Sequence, residues 1–251
     1  MSALMVEEEG RMKVLKSIYS WLRQRIPEVY FRIRHAGSIF SKRFFTLSVS
    51  GHIELESDFG LDESKAIDRG NKAPDGRYYS RYHTVDWAGL PPSIKQAIRN
   101  YDSVLRMFLG DGYLVNDGLV WRNYAIPEAY RNTELFSQNW HYDKVVDFRN
   151  VQLFVLVSDV SVDDGPFEFV ANPDEHKLLP SVMDRNNKDL NLIARKLTGK
   201  RGDTLLFSTG STPHRAGIPA EGRYRDIFSI AFFPAYTNIG QSSIALLAGP
   251  D

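Results

Sequence analysis

Gly202-Asp203-Thr204-Leu205-Leu206-Phe207 reads as a tight turn followed by a buried strand, and Ser208 to Pro213 follows as a polar loop that presents His214. Its strand, Thr204 to Ser208, is one of several short β-type runs, the others being Leu119 to Ala125, Ser137 to Asp143, Val151 to Val160, Phe167 to Val170 and Arg225 to Phe233. Turn signals separate them, such as Asp163-Asp164-Gly165-Pro166 and Thr198-Gly199-Lys200-Arg201-Gly202-Asp203. Many short strands with regular punctuation predict a jelly-roll or related barrel.

The first half of the chain reads differently. Met12, Leu15, Tyr19, Leu22 and Ile26 recur at helical steps until Pro27. Alternation over Phe44 to Leu55 predicts one strand, and the charged stretch Glu63 to Gly76 a surface loop. Pro91 and Pro92 precede a helical pattern over Ile94 to Leu109, which Gly110-Asp111-Gly112 ends. The expected organisation is one domain over 1–251. Residues 1–112 form a helical flank with an accessory strand, and 113–240 form the β core. The polar, Asn-rich stretch Leu178 to Leu192 reads as a lid or insert.

Composition removes several classes of function. Hydrophobic residues make up 43% of the 251, enough for a substantial core. There is no cysteine, which excludes disulfide scaffolds, thiolate metal sites and thiol nucleophiles. A formal net charge of zero argues against a general nucleic-acid binder. No apolar run reaches the length of a membrane span, and the start, with Glu7, Glu8 and Glu9, lacks the shape of a secretory signal. A cytoplasmic protein is expected. The basic segment 11–43, with Glu28 its one acid, has two readings: a helix with a solvated face, which is favoured, or an element that touches an anionic membrane surface.

The residues able to carry chemistry lie in the β half. Trp140-His141-Tyr142-Asp143 puts an imidazole and a carboxylate two apart, on one face if the stretch is extended. With His214 they make two imidazoles and one carboxylate, the facial set that holds Fe(II) and leaves positions open for co-substrate and O2. Arg225, eleven residues beyond His214, offers a fixed guanidinium to a carboxylate. Arg215 and Arg223 are its rivals, and His52-Ile53-Glu54 is a rival to the His141–Asp143 pair. His35, His83 and His176 have no acid two residues on, although His83 or His176 could touch substrate. Period two puts Ser229 on the strand face of Arg225, either at a pocket floor or as a small packed residue.

Taken together, residues 121–233 resemble the phytanoyl-CoA dioxygenase family of Fe(II)/2-oxoglutarate oxygenases. The resemblance is carried by Trp-His-x-Asp at 140–143, by Asp164-Gly165-Pro166-Phe167-Glu168-Phe169-Val170, by Gly202 to Phe207, and by the spacing of His214 and Arg225. It implies a double-stranded β-helix fold, cupin-like, with iron at the barrel mouth. It implies that His141, Asp143 and His214 are the iron ligands, and that Arg225 holds the far carboxylate of 2-oxoglutarate. Asn123 resembles an Asn that contacts the co-substrate, and Phe154 falls where an aromatic often lies against it. The implied reaction is hydroxylation of a small organic molecule, anionic or carrier-borne, with release of succinate and CO2. Family members that halogenate lack the carboxylate ligand, so Asp143 favours hydroxylation. The chain departs from the family pattern at Ala171 to His176, at Ala216 and at Gly217-Ile218-Pro219. Two other readings stand beside this one: a cupin-type metal enzyme that needs no 2-oxoglutarate, and a metal-binding β-helix module without turnover.

Overall fold

The runs that read as strands pair into two antiparallel sheets. The computed structural model describes residues 47–109, 113–143, 150–171, 182–183, 188–234 and 245–247. The helical pattern at 12–26, the basic segment 11–43, His35 and His176 lie outside them.

In chain order, β1 (Ser48–His52), β2 (Ile67–Arg69) and β3 (Ser80–Val85) precede two helices, α1 (Pro92–Asn100) and α2 (Asp102–Leu109). Then come β4 (Tyr113–Val115), β5 (Gly118–Tyr124), β6 (Trp140–His141), β7 (Val151–Leu156) and β8 (Phe167–Phe169). After β9 (Val182–Met183) and the short helix α3 (Lys188–Ile193), β10 (Arg195–Leu197) and β11 (Asp203–Ser208) follow. The last strands are β12 (His214–Ala216), β13 (Tyr224–Pro234) and β14 (Ala245–Leu247).

The large sheet runs β1-β11-β7-β13-β5-β3-β2, with β4 also on β13 and β14 on β4. The small sheet runs β10-β8-β12-β6-β9. The fold is therefore mainly β with flanking helices, a double-stranded β-helix of jelly-roll type.

Both faces of the central large-sheet strands are buried, and side-chain alternation sorts residues between them. On one face, Leu153, Val155, Leu206, Phe228 and Ile230 pack with Ile94 and Ile98 of α1 and Leu105 and Phe108 of α2. On the other, Phe154, Leu156, Leu205, Phe207 and Ile227 pack with Phe167 and Phe169 of the small sheet. At roughly 25 cal/mol per Å2 of apolar surface removed from water, these two layers dominate the stability of the fold.

Several sequence boundaries shift. The sequence places one strand before residue 112; the structure has β1, β2 and β3 there, and β2 lies inside the stretch expected to be a surface loop. The helix expected over 94–109 is two helices meeting at Tyr101, whose hydroxyl lies 2.9 Å from Thr204 Oγ1 on β11. That tie to the sheet fixes where the helical path bends. The strand expected over 137–143 shrinks to Trp140–His141. Its first part is a turn, where Gln138 Oε1 accepts from the Leu135 and Phe136 amides and Gln138 Nε2 donates to Thr133 O. Of the expected lid, β9 and α3 are described, and the Leu190 side chain is buried with Trp140 and Val170.

Candidate metal centre

The cross-strand register of the small sheet sets His141 of β6 directly opposite His214 of β12. Their ring centroids are 4.4 Å apart. Each imidazole is oriented by the same device. His141 Nδ1 lies 2.7 Å from Asn139 O, and His214 Nδ1 lies 2.8 Å from Thr212 O, each a carbonyl two residues back. A carbonyl only accepts, so Nδ1 carries the proton and donates, and the Nε2 lone pair is left for a metal.

Asp143 completes the set from just beyond the end of β6, where its amide donates to Thr209 O at 3.1 Å. The ligand position thus comes from a loop-to-loop hydrogen bond, not from strand alternation. Asp143 Oδ1 lies 3.8 Å from His141 Nε2 and 3.6 Å from His214 Nε2. Its other oxygen, Oδ2, accepts from Gln152 Nε2 of β7 at 3.2 Å. One carboxylate oxygen therefore faces both imidazoles while the large sheet holds the other. The three ligand atoms lie within 4.8 Å of one another.

Electrostatics favour the metal-binding protonation states. Burial pushes the Asp143 pKa up, but the two imidazoles beside it, His214 foremost, outweigh burial and hold it at about 2. Burial, reinforced by His214, pulls His141 down to about 4. At neutral pH Asp143 is a carboxylate and His141 a neutral imidazole, the forms a divalent metal needs.

The three residues open onto a cavity of about 130 Å3 between the sheets, also lined by Arg69, Trp121, Asn123, Gln152, Phe154 and Arg225. Arg225, on β13, is 3% exposed. Its Nη1 donates to Gly165 O, and its Nε is buried without a hydrogen-bond partner. Among the described residues no carboxylate forms an ion pair with it. Burial draws its pKa down to about 10, and Asp226 and Glu168 act from a distance against that shift. A guanidinium buried this way attracts an anion, because an isolated charge away from water is costly. Gly165 can present its carbonyl there because it adopts φ 64°, and a Cβ would come 2.3 Å from Pro219 N.

The other sequence candidates fall into place around this cavity. Asn123 lines it, paired in register with Arg225 and accepting from Ser80 Oγ at 2.9 Å. Phe154 lines it and also packs in the inner core. Ser229 is buried on β13, opposite Phe154 and Leu119, and is not among the residues that line the cavity. That is the position of a small packed residue, one of the two readings its place on the strand allows.

The rivals are engaged elsewhere. Arg215 pairs with Glu168 and lies over the Trp140 ring at 4.6 Å. Arg223 is 3.8 Å from Asp164 at the surface. His52, on the outer strand β1, pairs with Asp203 at 2.7 Å and lies away from the cavity, and among the described residues it belongs to no group of three ligands close enough to hold a metal. His83 Nδ1 accepts from the Asp62 amide at 3.2 Å, and His83 is not among the residues that line the cavity.

Among the cavity residues that sequence reading missed are Gln152 and Arg69. Gln152 had a usable signal, since it is the one polar side chain in the run Val151 to Leu156. Arg69 had none, because a three-residue strand inside a charged, turn-rich stretch carries no periodicity.

No family model matches the chain, and no curated protein does. Among solved structures, the apo form of the non-heme monooxygenase ThoJ is similar at 19% identity, covering 64% of this chain and 59% of that one, with a TM-score of 0.42. The non-heme alpha-ketoglutarate-dependent epimerase SnoN from nogalamycin biosynthesis is similar at 15% identity, over 68% and 66%, with a TM-score of 0.44. Apo EctD from S. alaskensis is similar at 12% identity, over 76% and 66%, with a TM-score of 0.45. In each of the three, this chain spans less than two thirds of the other's length.

Proposed function

We propose that the protein is a non-haem Fe(II)- and 2-oxoglutarate-dependent dioxygenase that hydroxylates a small organic molecule in the cytoplasm, in the manner of the phytanoyl-CoA dioxygenase family. One observation carries the reading. Two oriented imidazoles and one carboxylate converge on the same cavity as a fully buried guanidinium that has no carboxylate partner among the described residues.

The donor set fits ferrous iron, which takes imidazole and carboxylate and is left with open positions by three protein ligands. His141, Asp143 and His214 would hold it, and Gln152 would fix which Asp143 oxygen faces it. When bound, iron supplies the redox chemistry that couples decarboxylation of 2-oxoglutarate to oxidation of a substrate carbon by O2. The rest is the work of this chain's own groups. Arg225 would pair with the far carboxylate of the co-substrate, where burial makes a charge-assisted contact strong. Asn123, its carbonyl taken by Ser80, keeps its amide N–H groups to donate into the cavity. Trp121, Phe154 and Phe167 wall the cavity with aromatic surface that excludes water from the reacting centre.

The test is an anaerobic titration of the metal-free protein with Fe(II) and then 2-oxoglutarate, followed by visible absorption. The expected result is a weak charge-transfer band that needs both. Iron binding without the band would favour a cupin-type metal enzyme that uses no 2-oxoglutarate. Absence of metal binding would overturn the reading. Decarboxylation of 2-oxoglutarate without added substrate would separate an active enzyme from a metal-binding module.

A further inference from the structure

The cavity holds a second guanidinium that the proposed reaction does not use. Arg69 ends β2, and the sheet register sets Arg69 beside Ser80, Ser80 beside Asn123, and Asn123 beside Arg225. All four line the cavity. The row thus carries a cation at each end, three strand spacings apart, which is roughly 14 Å between backbones at about 4.8 Å per spacing. The hydrogen-bonded Ser80–Asn123 pair lies between them.

Arg69 is built into place. Its guanidinium lies 4.3 Å from the centre of the Trp121 ring and 5.7 Å from that of Tyr82. Gly70 after it adopts φ 88°, and a Cβ there would come 2.0 Å from Leu135 O. The next amide, of Asn71, donates to that same carbonyl at 2.8 Å. Arg69 Nη1 is buried and has no hydrogen-bond partner. No carboxylate among the described residues is within ion-pair distance of it. Trp121 Nε1 beside it is also a buried donor without a partner. Two orphaned donors on one cavity wall, one of them cationic, are costly unless an acceptor satisfies them.

We infer that Arg69 and Trp121 form a second anion site, and that the substrate to be oxidised carries a carboxylate or phosphate group that binds there, with apolar substance against the Trp121 side of the cavity. Calling this anion part of the substrate rests on the oxygenase reading; the anion site itself does not. The substrate would be held at its charged end by Arg69, away from the co-substrate's anchor at Arg225.

The experiment uses the full chain, loaded anaerobically with Fe(II) and saturating 2-oxoglutarate. It is titrated by calorimetry with benzoate, methylphosphonate and the neutral benzamide. The wild type is expected to prefer one of the two anions over benzamide by about tenfold or more, as a charge-assisted contact implies. Arg69→Gln should abolish the preference and Arg69→Lys keep part of it. The 2-oxoglutarate concentration needed for the absorption band should stay unchanged in Arg69→Gln and rise strongly in Arg225→Gln. Thermal melts of each variant separate misfolding from lost recognition. No anion preference in the wild type, or a preference that survives in folded Arg69→Gln, would overturn the inference. So would a 2-oxoglutarate requirement that moves as far in Arg69→Gln as in Arg225→Gln, since Arg69 would then serve the co-substrate. If the wild type gives no band, the oxygenase reading fails, and the same anion titrations on the metal-free protein still decide the site.

Discussion

The central strands of the large sheet, β7, β11 and β13, run for six, six and eleven residues, whereas β6 and β12, which carry the two histidines, run for two and three. The long strands are apolar on both faces and have a core on either side. The short ones take their geometry from side-chain and loop hydrogen bonds: Nδ1 to a carbonyl at each histidine, and the Asp143 amide to Thr209 O. Most of the packing thus lies in the large sheet, while both histidines of the candidate metal centre come from the small one. The scaffold is over-determined by packing, and the site is determined by a few polar contacts that a single substitution can remove.

This division can be broken on purpose. The largest effect is expected at the small sheet. Asp143→Ala should end turnover and Fe(II) binding, read by metal analysis after dialysis, with little change in melting temperature. Retained hydroxylating turnover would sink the assignment of Asp143 as a ligand. Next, Phe228→Ala in the large sheet removes a ring that is 0% exposed and packs edge-on against Phe59 at 5.5 Å. Denaturant unfolding should show a loss of about 3–5 kcal/mol, while metal stoichiometry of the folded fraction stays the same. If metal binding fell with it in folded protein, the packing of the large sheet would also be setting the geometry of the metal centre.

Smaller effects sharpen the comparison. Asp226→Asn disrupts the paired contacts from Arg122 Nε and Nη2, each 2.7 Å, on the face of β13 opposite the cavity. About 1.5–3 kcal/mol of stability should go, with the 2-oxoglutarate requirement untouched. Gln152→Leu is the one large-sheet change expected to act on the small sheet. Freeing Asp143 Oδ2 should weaken Fe(II) binding about tenfold, measured by competition with a chelator, without shifting the melting temperature much. Tyr224→Ala removes only an exposed ring under Arg122, 4.1 Å from its guanidinium, and should cost about 0.5 kcal/mol.

The same contrast explains what could be read in advance. Val151 to Leu156 and Asp203 to Ser208 announce themselves because a strand buried on both faces needs a continuous apolar run. Gly165 was legible because only glycine accepts its φ against Ile218 and Pro219. His141, Asp143 and His214 were legible as residue types at a spacing, yet the reason they meet was not. The register that sets His141 against His214, and the bond that turns Asp143 inward, are between segments some seventy residues apart. Arg69 lay beyond reach for the same reason: its role comes from being the fourth member of a row whose other members are Ser80, Asn123 and Arg225.

Strand β13 places Arg225 toward the cavity and its neighbour Asp226 toward Arg122 on the opposite face. Alternation is therefore also a choice of sign. A single-residue deletion in the turn before β13 that slid the strand back by one position would put Asp226 where Arg225 now stands. The cavity would then present a carboxylate where it now presents a guanidinium, and it would repel the anion it now attracts. In this fold the length of the turn at 217–223 sets the polarity of the field at the bottom of the barrel, so drift in that loop's length is constrained by electrostatics as much as by packing.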